Sequence, residues 1–307
     1  MATKIVLVIG GTGAQGVPIV QELDQHGYHV RVLTRDPESE HSQRLRSVAP
    51  NVQYVTGTPT DEDALLQSRV KHYIWSSLDN YALETNYDDD LRCGHYYGKG
   101  HVKQWMSALP QSPMKWSVVC TGPYIEQLWY FQHPKKLDSG VYDFRLPIDN
   151  GVIPYVCLDD MGYYVRWIYE HPEKSAGLNL DIGVEDVSLE QIAKAFTDAT
   201  GKPAKATNFT IEQWTQETGL SEEDMEHKIG TSTAPGDPSL LTFRQNFSAW
   251  WRIYQNCGTK LGLCKRDYNL LDEIYPGRIR SLRQWTEKVG YDGDATRTFE
   301  AGIPWGM

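Results

Sequence analysis

The five cysteines (Cys93, Cys120, Cys157, Cys257, Cys264) include no C-x-x-C pair and no cluster at metal-ligand spacing. An odd, scattered set reads as reduced thiols in a cytosolic or nuclear protein, most of them small core residues. The histidines show no ligand spacing either, so no metal is expected. No apolar run is long enough to span a bilayer, and with Lys4 already inside the first strand no leader is expected ahead of it. Basic charge is also in short supply. Forty acidic against thirty basic side chains leave a net charge of −10, the opposite of the basic stripe that a direct grip on nucleic acid needs. The acid run Asp88-Asp89-Asp90 reads as solvated surface, and Lys135-Lys136 is too short a basic run to change that. Repeats and low-complexity tracts are missing too.

What is present is a chain of 307 residues, 40% of them hydrophobic, enough for one large or two modest domains. Its organising stretch is Lys4–Gly16. Ile5, Val6, Leu7, Val8 and Ile9 form a continuous apolar run, the pattern of a strand buried on both faces of a parallel sheet. Gly10, Gly13 and Gly16 follow at three-residue spacing, and a helical pattern opens with Val17, Ile19, Val20 and Leu23. In that context the first glycine permits the tight turn and the second a close approach to a pyrophosphate. The third allows helix-on-sheet packing, and the helix N-terminus offers free N–H groups to the anion.

Strands are expected at Tyr28–Leu33, Val52–Val55, His72–Ser77 and Trp116–Cys120. Helices are expected at Ser42–Ala49, Asp61–Gln67 and Tyr97–Leu109. This alternation predicts a doubly wound, Rossmann-like α/β sheet. Thr34-Arg35-Asp36 ends the second strand, where a carboxylate would bond the ribose 2′-OH of NAD and an arginine would accept the 2′-phosphate of NADP. With Arg35 first, NADP(H) is expected over NAD(H). Residues 1–150 are expected to hold the dinucleotide-binding domain. Residues 151–307 would supply the rest of the sheet and a smaller C-terminal α+β lobe. There Asp159-Asp160 reads as an acid pair at a helix N-terminus, and Ser188–Thr200 as an amphipathic helix with Leu189, Ile192, Ala193 and Phe196 on one face. Thr231–Ser239 is linker-like. Phe243, Phe247, Trp250, Trp251 and Tyr254 form a helical stripe, read as core of the smaller lobe or, functionally, as an apolar wall over a substrate cleft.

With GGTGAQG, the strand ending in Thr34-Arg35, HYIWSSLDN, HYYGKGHV and GPYIEQ in chain order, the sequence resembles the NmrA-like family. These are atypical short-chain dehydrogenase/reductase proteins related to isoflavone-reductase-like enzymes. FRQNFSAWW, RDYNLLDEIYP and IRSLRQW look like the fungal members. The resemblance implies that Gly10, Gly11, Thr12, Gly13, Ala14 and Gln15, leading into Gly16, wrap the pyrophosphate, and that Arg35 takes the 2′-phosphate. It further implies that Lys99 bonds the nicotinamide ribose, and that Tyr124, Glu126 and Gln127 line the nicotinamide end. The family has a further strand and crossover helix where this chain has only Ser68-Arg69-Val70-Lys71 between its expected elements, too few residues for such a unit. That strand would lie beside the first one. Gly57-Thr58 is a smaller departure, since the family tends to place an acidic residue there.

Standard short-chain reductases use a Tyr-x-x-x-Lys pair, the tyrosine giving a proton and the lysine lowering its pKa. Four residues before Lys99 stands His95, on the same helical face, and its imidazole is suited to acid chemistry near neutral pH. Tyr96 is the other candidate partner, and Ser77 is a candidate to orient a substrate oxygen at the cofactor. These residues permit hydride transfer to a carbonyl, enone or imine. The family also contains NADP(H)-binding regulators that act through protein partners, and a degenerate reductase without cofactor is the third reading. The expected partner is thus a small-molecule substrate or a regulatory protein, with neither nucleic acid nor membrane.

Overall fold

A computed structural model describes residues 4–59, 70–130, 132–230 and 236–294. The expected helix Asp61–Gln67, Ser68 and Arg69 of the Ser68–Lys71 connection and part of the Thr231–Ser239 linker lie outside those residues. In chain order the first elements are β1 (Ile5–Ile9), α1 (Gly16–Gln25), β2 (His29–Thr34), α2 (Glu40–Val48) and β3 (Gln53–Thr56). Next come β4 (His72–Ser77), α3 (Gly94–Ser107), β5 (Lys115–Cys120), β6 (Lys135–Lys136), β7 (Tyr142–Leu146) and β8 (Ile153–Pro154). They are followed by α4 (Leu158–Glu170), α5 (Pro172–Ser175), β9 (Asn179–Asp181), β10 (Asp186–Val187), α6 (Leu189–Thr200) and β11 (Ala204–Asn208). Helices α7 (Ile211–Glu217), α8 (Glu222–Glu226), α9 (Phe243–Asn256), α10 (Tyr268–Ile274) and α11 (Leu282–Val289) are the last elements of the described residues.

The fold is α/β and Rossmann-like, with its parallel strands in two groups. β1-β2-β3 form one three-stranded parallel sheet and β4-β5-β9 another. Among the described residues β1 has β2 on one side and no strand on the other. The two sheets are joined instead through a shared core. Val6, Val20, Leu23, Val30 and Val32 from the first sheet and α1 pack in one cluster with Val119, Met161, Val165 and Ile168 from β5 and α4. The helices touch because Gly162 has no side chain: a Cβ there would lie 2.5 Å from the Glu22 Cβ and 2.6 Å from the Pro18 carbonyl oxygen. Arg166 of α4 donates to Glu22 of α1 at 2.7 Å across the same contact.

One expectation for β1 is corrected. The strand is not buried on both faces: Ile5, Leu7 and Ile9 are 54%, 40% and 47% exposed, while Val6 is buried. Successive side chains point to opposite faces, and α1 packs on the face that carries Val6 and Val8. Val55 on β3 is exposed as well.

The smaller lobe contains the mixed sheet β6-β7-β11 and the antiparallel pair β8-β10. Its core is aromatic: Phe243, Trp250, Trp251 and Tyr254 of α9 are buried with Trp285 and Tyr291, so the α9 stripe is core. On α6, Leu189, Ile192, Ala193 and Phe196 are all buried, and Ser188 closes a reciprocal capping box with Gln191. The lobes are not consecutive in sequence. β6 and β7 precede residue 150 yet pair with β11, whereas β9 returns to β5. Reading all five cysteines as free thiols is also corrected. Cys257 and Cys264 are joined as a disulfide, their Cα atoms 5.4 Å apart, and Cys93, Cys120 and Cys157 are free and buried. The pairing arises because the chain turns back after α9 and brings Leu263 beside Cys257, a proximity that spacing alone does not announce.

Candidate functional site

The candidate site is the crevice beyond the carboxyl ends of β1, β4 and β5, where open α/β sheets bind ligands. Its first wall is the glycine loop. Gly10 sits at φ +74°, a left-handed turn that L residues disfavour, and its carbonyl accepts from the Gly13 N–H at 3.0 Å. A Cβ on Gly16 would lie 2.1 Å from the Gly10 oxygen and 2.5 Å from the Gly11 Cα, and one on Gly11 would meet the Val32 methyls at 2.8 and 2.9 Å. Packing therefore requires both as glycine. Gly13 is different: the nearest atom to a Cβ there is the Gly10 oxygen at 3.4 Å, ordinary contact. No described residue demands glycine at 13, and the position is open to the close approach of a ligand. Arg35 lies just past β2, exposed and without an ion pair among the described residues. The residues present thus fit a dinucleotide phosphate.

Gln15 links the two sheets across this crevice. Its Oε1 accepts from Ser76 Oγ at 2.6 Å, and its Nε2 donates to the Tyr124 hydroxyl at 2.5 Å and to Thr121 Oγ1 at 3.4 Å. Burial pushes the Tyr124 phenol up to about 12, so it stays neutral. Ser76 is the serine that faces the crevice, and this corrects the assignment of Ser77. Ser77 is fully buried and donates to the Leu78 and Lys99 carbonyls, each at 3.1 Å. Adjacent strand residues point oppositely, so the two serines cannot share the role.

Helix α3 begins at Gly94, and the buried Asn246 of α9 caps it by accepting from the Gly94 N–H at 2.9 Å. The first turn therefore belongs to the interface with the smaller lobe. The His95 imidazole lies 3.1 Å from the Asn246 amide nitrogen and beside Phe247. Packing lowers its pKa, although the residue keeps an exposed edge where water limits that push. The Tyr96 hydroxyl is buried against that of Tyr254 at 2.6 Å, and burial pushes its pKa far up. Among the described residues neither side chain hydrogen-bonds Lys99: the helix face is shared, but His95 and Tyr96 are bonded to α9, and the Lys99 charge reaches His95 only as a further push that lowers its pKa. Lys99 itself is half-buried and its Nζ has no hydrogen-bond partner among the described residues. Burial holds its pKa below the usual lysine value.

Glu126 and Gln127 lie in the 3-10 turn Ile125–Trp129. Gln127 accepts from Gln132 at 3.0 Å. Glu126 accepts from the Leu158 N–H at 3.0 Å and so caps α4, while its Oε2 is buried without a partner. Burial pushes its carboxyl up from 4.5 to about 8. The carboxyl thus binds its proton more tightly folded than unfolded. Its stabilising contribution is fully present below the unfolded value and is lost as pH rises through about 8. Glu126→Gln is expected to flatten the fall of stability between about pH 5 and pH 8 and to raise the pH 8 melting temperature by several degrees, on the order of 1–3 kcal/mol. Thermal melts across that range check it; unchanged slopes would remove Glu126 as the source.

Sequence reasoning missed the crevice floor. Arg266, from the smaller lobe, forms a bidentate pair with Asp79 at 3.0 and 2.8 Å, and donates to the Ile182 carbonyl at 2.9 Å and the Thr121 carbonyl at 3.3 Å. Its side chain is fully buried. Burial alone would raise Asp79, but the Arg266 guanidinium overrides it and holds the carboxyl below its usual value. Lys103 pairs with Asp181 at 3.2 Å. Asp79, Cys120 and Asp181 bring ligand-type atoms within 4.8 Å of one another, yet both carboxylates already have cationic partners. Arg266 follows Asp79 by 187 residues, so no local pattern could have paired them.

Among the described residues no helix is long and apolar enough to cross a membrane. The chain is 26% identical over 260 residues to the NmrA-like family domain-containing oxidoreductase malD of Malbranchea aurantiaca, covering 69% of this chain and 76% of that protein. Its fold matches NmrA, a negative transcriptional regulator solved in complex with NADP, at TM-score 0.70 and 17% identity over 100% of both chains. It also matches the NADPH-dependent quinone oxidoreductase of Escherichia coli, solved with NADPH, at TM-score 0.61 and 15% identity, over 93% of this chain and 99% of that one. The model of the NmrA-like family matches residues 2–68 and 62–235, and with the glycine loop and crevice described above, the chain belongs to that family.

Proposed function

We propose that this protein is an NADP(H)-dependent oxidoreductase acting on a small carbonyl, enone or imine. The observation that carries the reading is Gly13, where an added Cβ would meet no described protein atom closer than 3.4 Å, so the packing leaves the glycine unexplained and a close ligand accounts for it. The glycine loop and the α1 N-terminus hold the pyrophosphate, and Arg35 meets the 2′-phosphate with a cation that no carboxylate occupies among the described residues. The preference for NADP(H) rests on that arginine. The relatives named oxidoreductases and the neighbours solved with NADP or NADPH support the same assignment.

When bound, the nicotinamide supplies or accepts the hydride. Lys99 orients the nicotinamide ribose and donates the balancing proton from Nζ to the substrate oxygen or nitrogen, a role eased by its lowered pKa. Tyr124, tied to Gln15, fixes the nicotinamide end. A second reading is favoured by the placement of His95 and Tyr96, which are bonded to α9. With neither side chain hydrogen-bonded to Lys99 among the described residues, the protein would sense the NADPH/NADP⁺ ratio and pass it to a regulatory protein partner.

The test is a tryptophan-fluorescence titration with NADPH, NADP⁺, NADH and NAD⁺, followed by turnover with carbonyl and enone substrates. Trp75, whose indole donates to the Lys99 carbonyl at 3.3 Å, is placed to report on the site. Arg35→Ala is expected to weaken NADPH roughly ten- to a hundredfold and NADH far less. Turnover lost in Lys99→Ala with cofactor binding kept supports the enzyme. Binding without turnover on any substrate supports the sensor, and binding of none of the four nucleotides overturns both.

A further inference from the structure

The segment that delivers Arg266 to the crevice begins at the disulfide. Cys257 caps the end of α9, an exposed loop covers residues 258–261, and the chain returns to Cys264, two residues before Arg266. Both cysteines are buried. Cys264 is held at φ +62°, a left-handed conformation disfavoured for any residue with a Cβ. Its sulfur accepts from the Tyr81 hydroxyl at 3.2 Å, and Tyr81 stands two residues after Asp79. The covalent bond therefore sits between two strands of chain that carry the two halves of the Asp79–Arg266 pair. Arg266 in turn holds the ends of β5 and β9 through the Thr121 and Ile182 carbonyls.

We infer that the Cys257–Cys264 disulfide is a reversible latch that fixes Arg266 on Asp79 at the crevice floor. Reduction is a two-electron exchange with an external dithiol. A thiolate of that reagent attacks one sulfur, the Cys257–Cys264 bond breaks, and the second thiol displaces the mixed disulfide. Two protons and two electrons end on the cysteines, and the reagent leaves as its own disulfide. Once free, Cys264 no longer has a covalent reason to stay left-handed, and the Lys265–Asp267 segment loosens with it. Both sulfurs are buried, so a thiol reaches the bond when the exposed 258–261 loop opens locally. Because loops closed by a covalent link lose freedom that reduction restores, the effect concentrates on residues 258–268 and on the Asp79–Tyr81 segment they contact.

The experiment is amide hydrogen exchange on the full chain, equilibrated with glutathione disulfide or with dithiothreitol, with thiol alkylation and mass spectrometry to count free cysteines. Three alkylated thiols in the oxidised sample and five in the reduced one are expected. Amides of residues 79–82 and 264–268 should exchange at least tenfold faster after reduction, with α1 and α6 unchanged. Cys257→Ser/Cys264→Ser should match the reduced protein and ignore dithiothreitol. Five free thiols in the oxidising buffer, equal exchange in the two states, or a dithiothreitol response in the double variant would overturn the latch. Its consequence for the site rests on the NADP(H) reading: oxidised protein should bind NADPH several-fold more tightly. No NADPH binding in either state would count against the cofactor, while the exchange rates would still decide the latch.

Discussion

Gly13→Ala is expected to leave the protein folded and to weaken NADPH binding by about a hundredfold or more, roughly 3 kcal/mol, whereas Gly16→Ala is expected to damage the fold itself. The contrast follows from what an added methyl meets. At 13 the nearest protein atom is the Gly10 oxygen at 3.4 Å; at 16 the same oxygen is 2.1 Å away and the Gly11 Cα 2.5 Å. Backbone atoms cannot rotate aside as a flexible side chain can, so Gly16→Ala forces the turn and the start of α1 apart at about 3 kcal/mol or more. Circular dichroism melts and nucleotide titrations on both variants separate the two effects. A Gly13→Ala protein with wild-type NADPH affinity would remove the observation on which the proposed function stands. A Gly16→Ala protein with an unchanged melting temperature would show that the loop relaxes more freely than its contacts allow.

Asp79→Ala carries the other large effect, a loss of about 3–5 kcal/mol, or roughly 10 °C in melting temperature. The cost arises less from the lost attraction than from the guanidinium left behind. Arg266 is fully buried, and its remaining acceptors are backbone carbonyls, which share hydrogen bonds but carry no opposite charge. Replacing both partners by apolar groups, as in Asp79→Leu with Arg266→Met, is expected to recover much of the loss, since neither charge is then stranded. A double-mutant cycle on urea-unfolding free energies measures the coupling. Additive single and double variants would show that the pair does not act as a unit.

The glycine loop was legible because its constraint is local. A turn, a close approach and a helix start fall within thirteen residues, and each is met by a residue type that few alternatives can replace. The helix at Leu189–Thr200 was legible from its own periodicity: Leu189, Ile192, Ala193 and Phe196 fall on one helical face, and all four are buried. Failures occurred wherever a side chain had a choice. His95 and Tyr96 share a helical face with Lys99, and helical spacing says no more than that; Asn246 and Tyr254, some 150 residues on, claimed them. Ser77 sat at the expected strand end, but one residue of register separates a crevice hydroxyl from a buried one, and Ser76 took the exposed side.

By itself, the sequence determined the β–α alternation, the glycine turn, the position of Arg35 and the aromatic stripe of the smaller lobe, because each is written in neighbouring residues or in a periodicity. Tertiary structure decided the rest. It left Ile5, Leu7 and Ile9 open on a strand whose composition matches a doubly buried one, since burial depends on which helices lie across a strand. It joined Cys257 to Cys264, and it brought Arg266 to Asp79. A buried charge needs a partner from wherever the chain can supply one, and only the folded chain shows where that is.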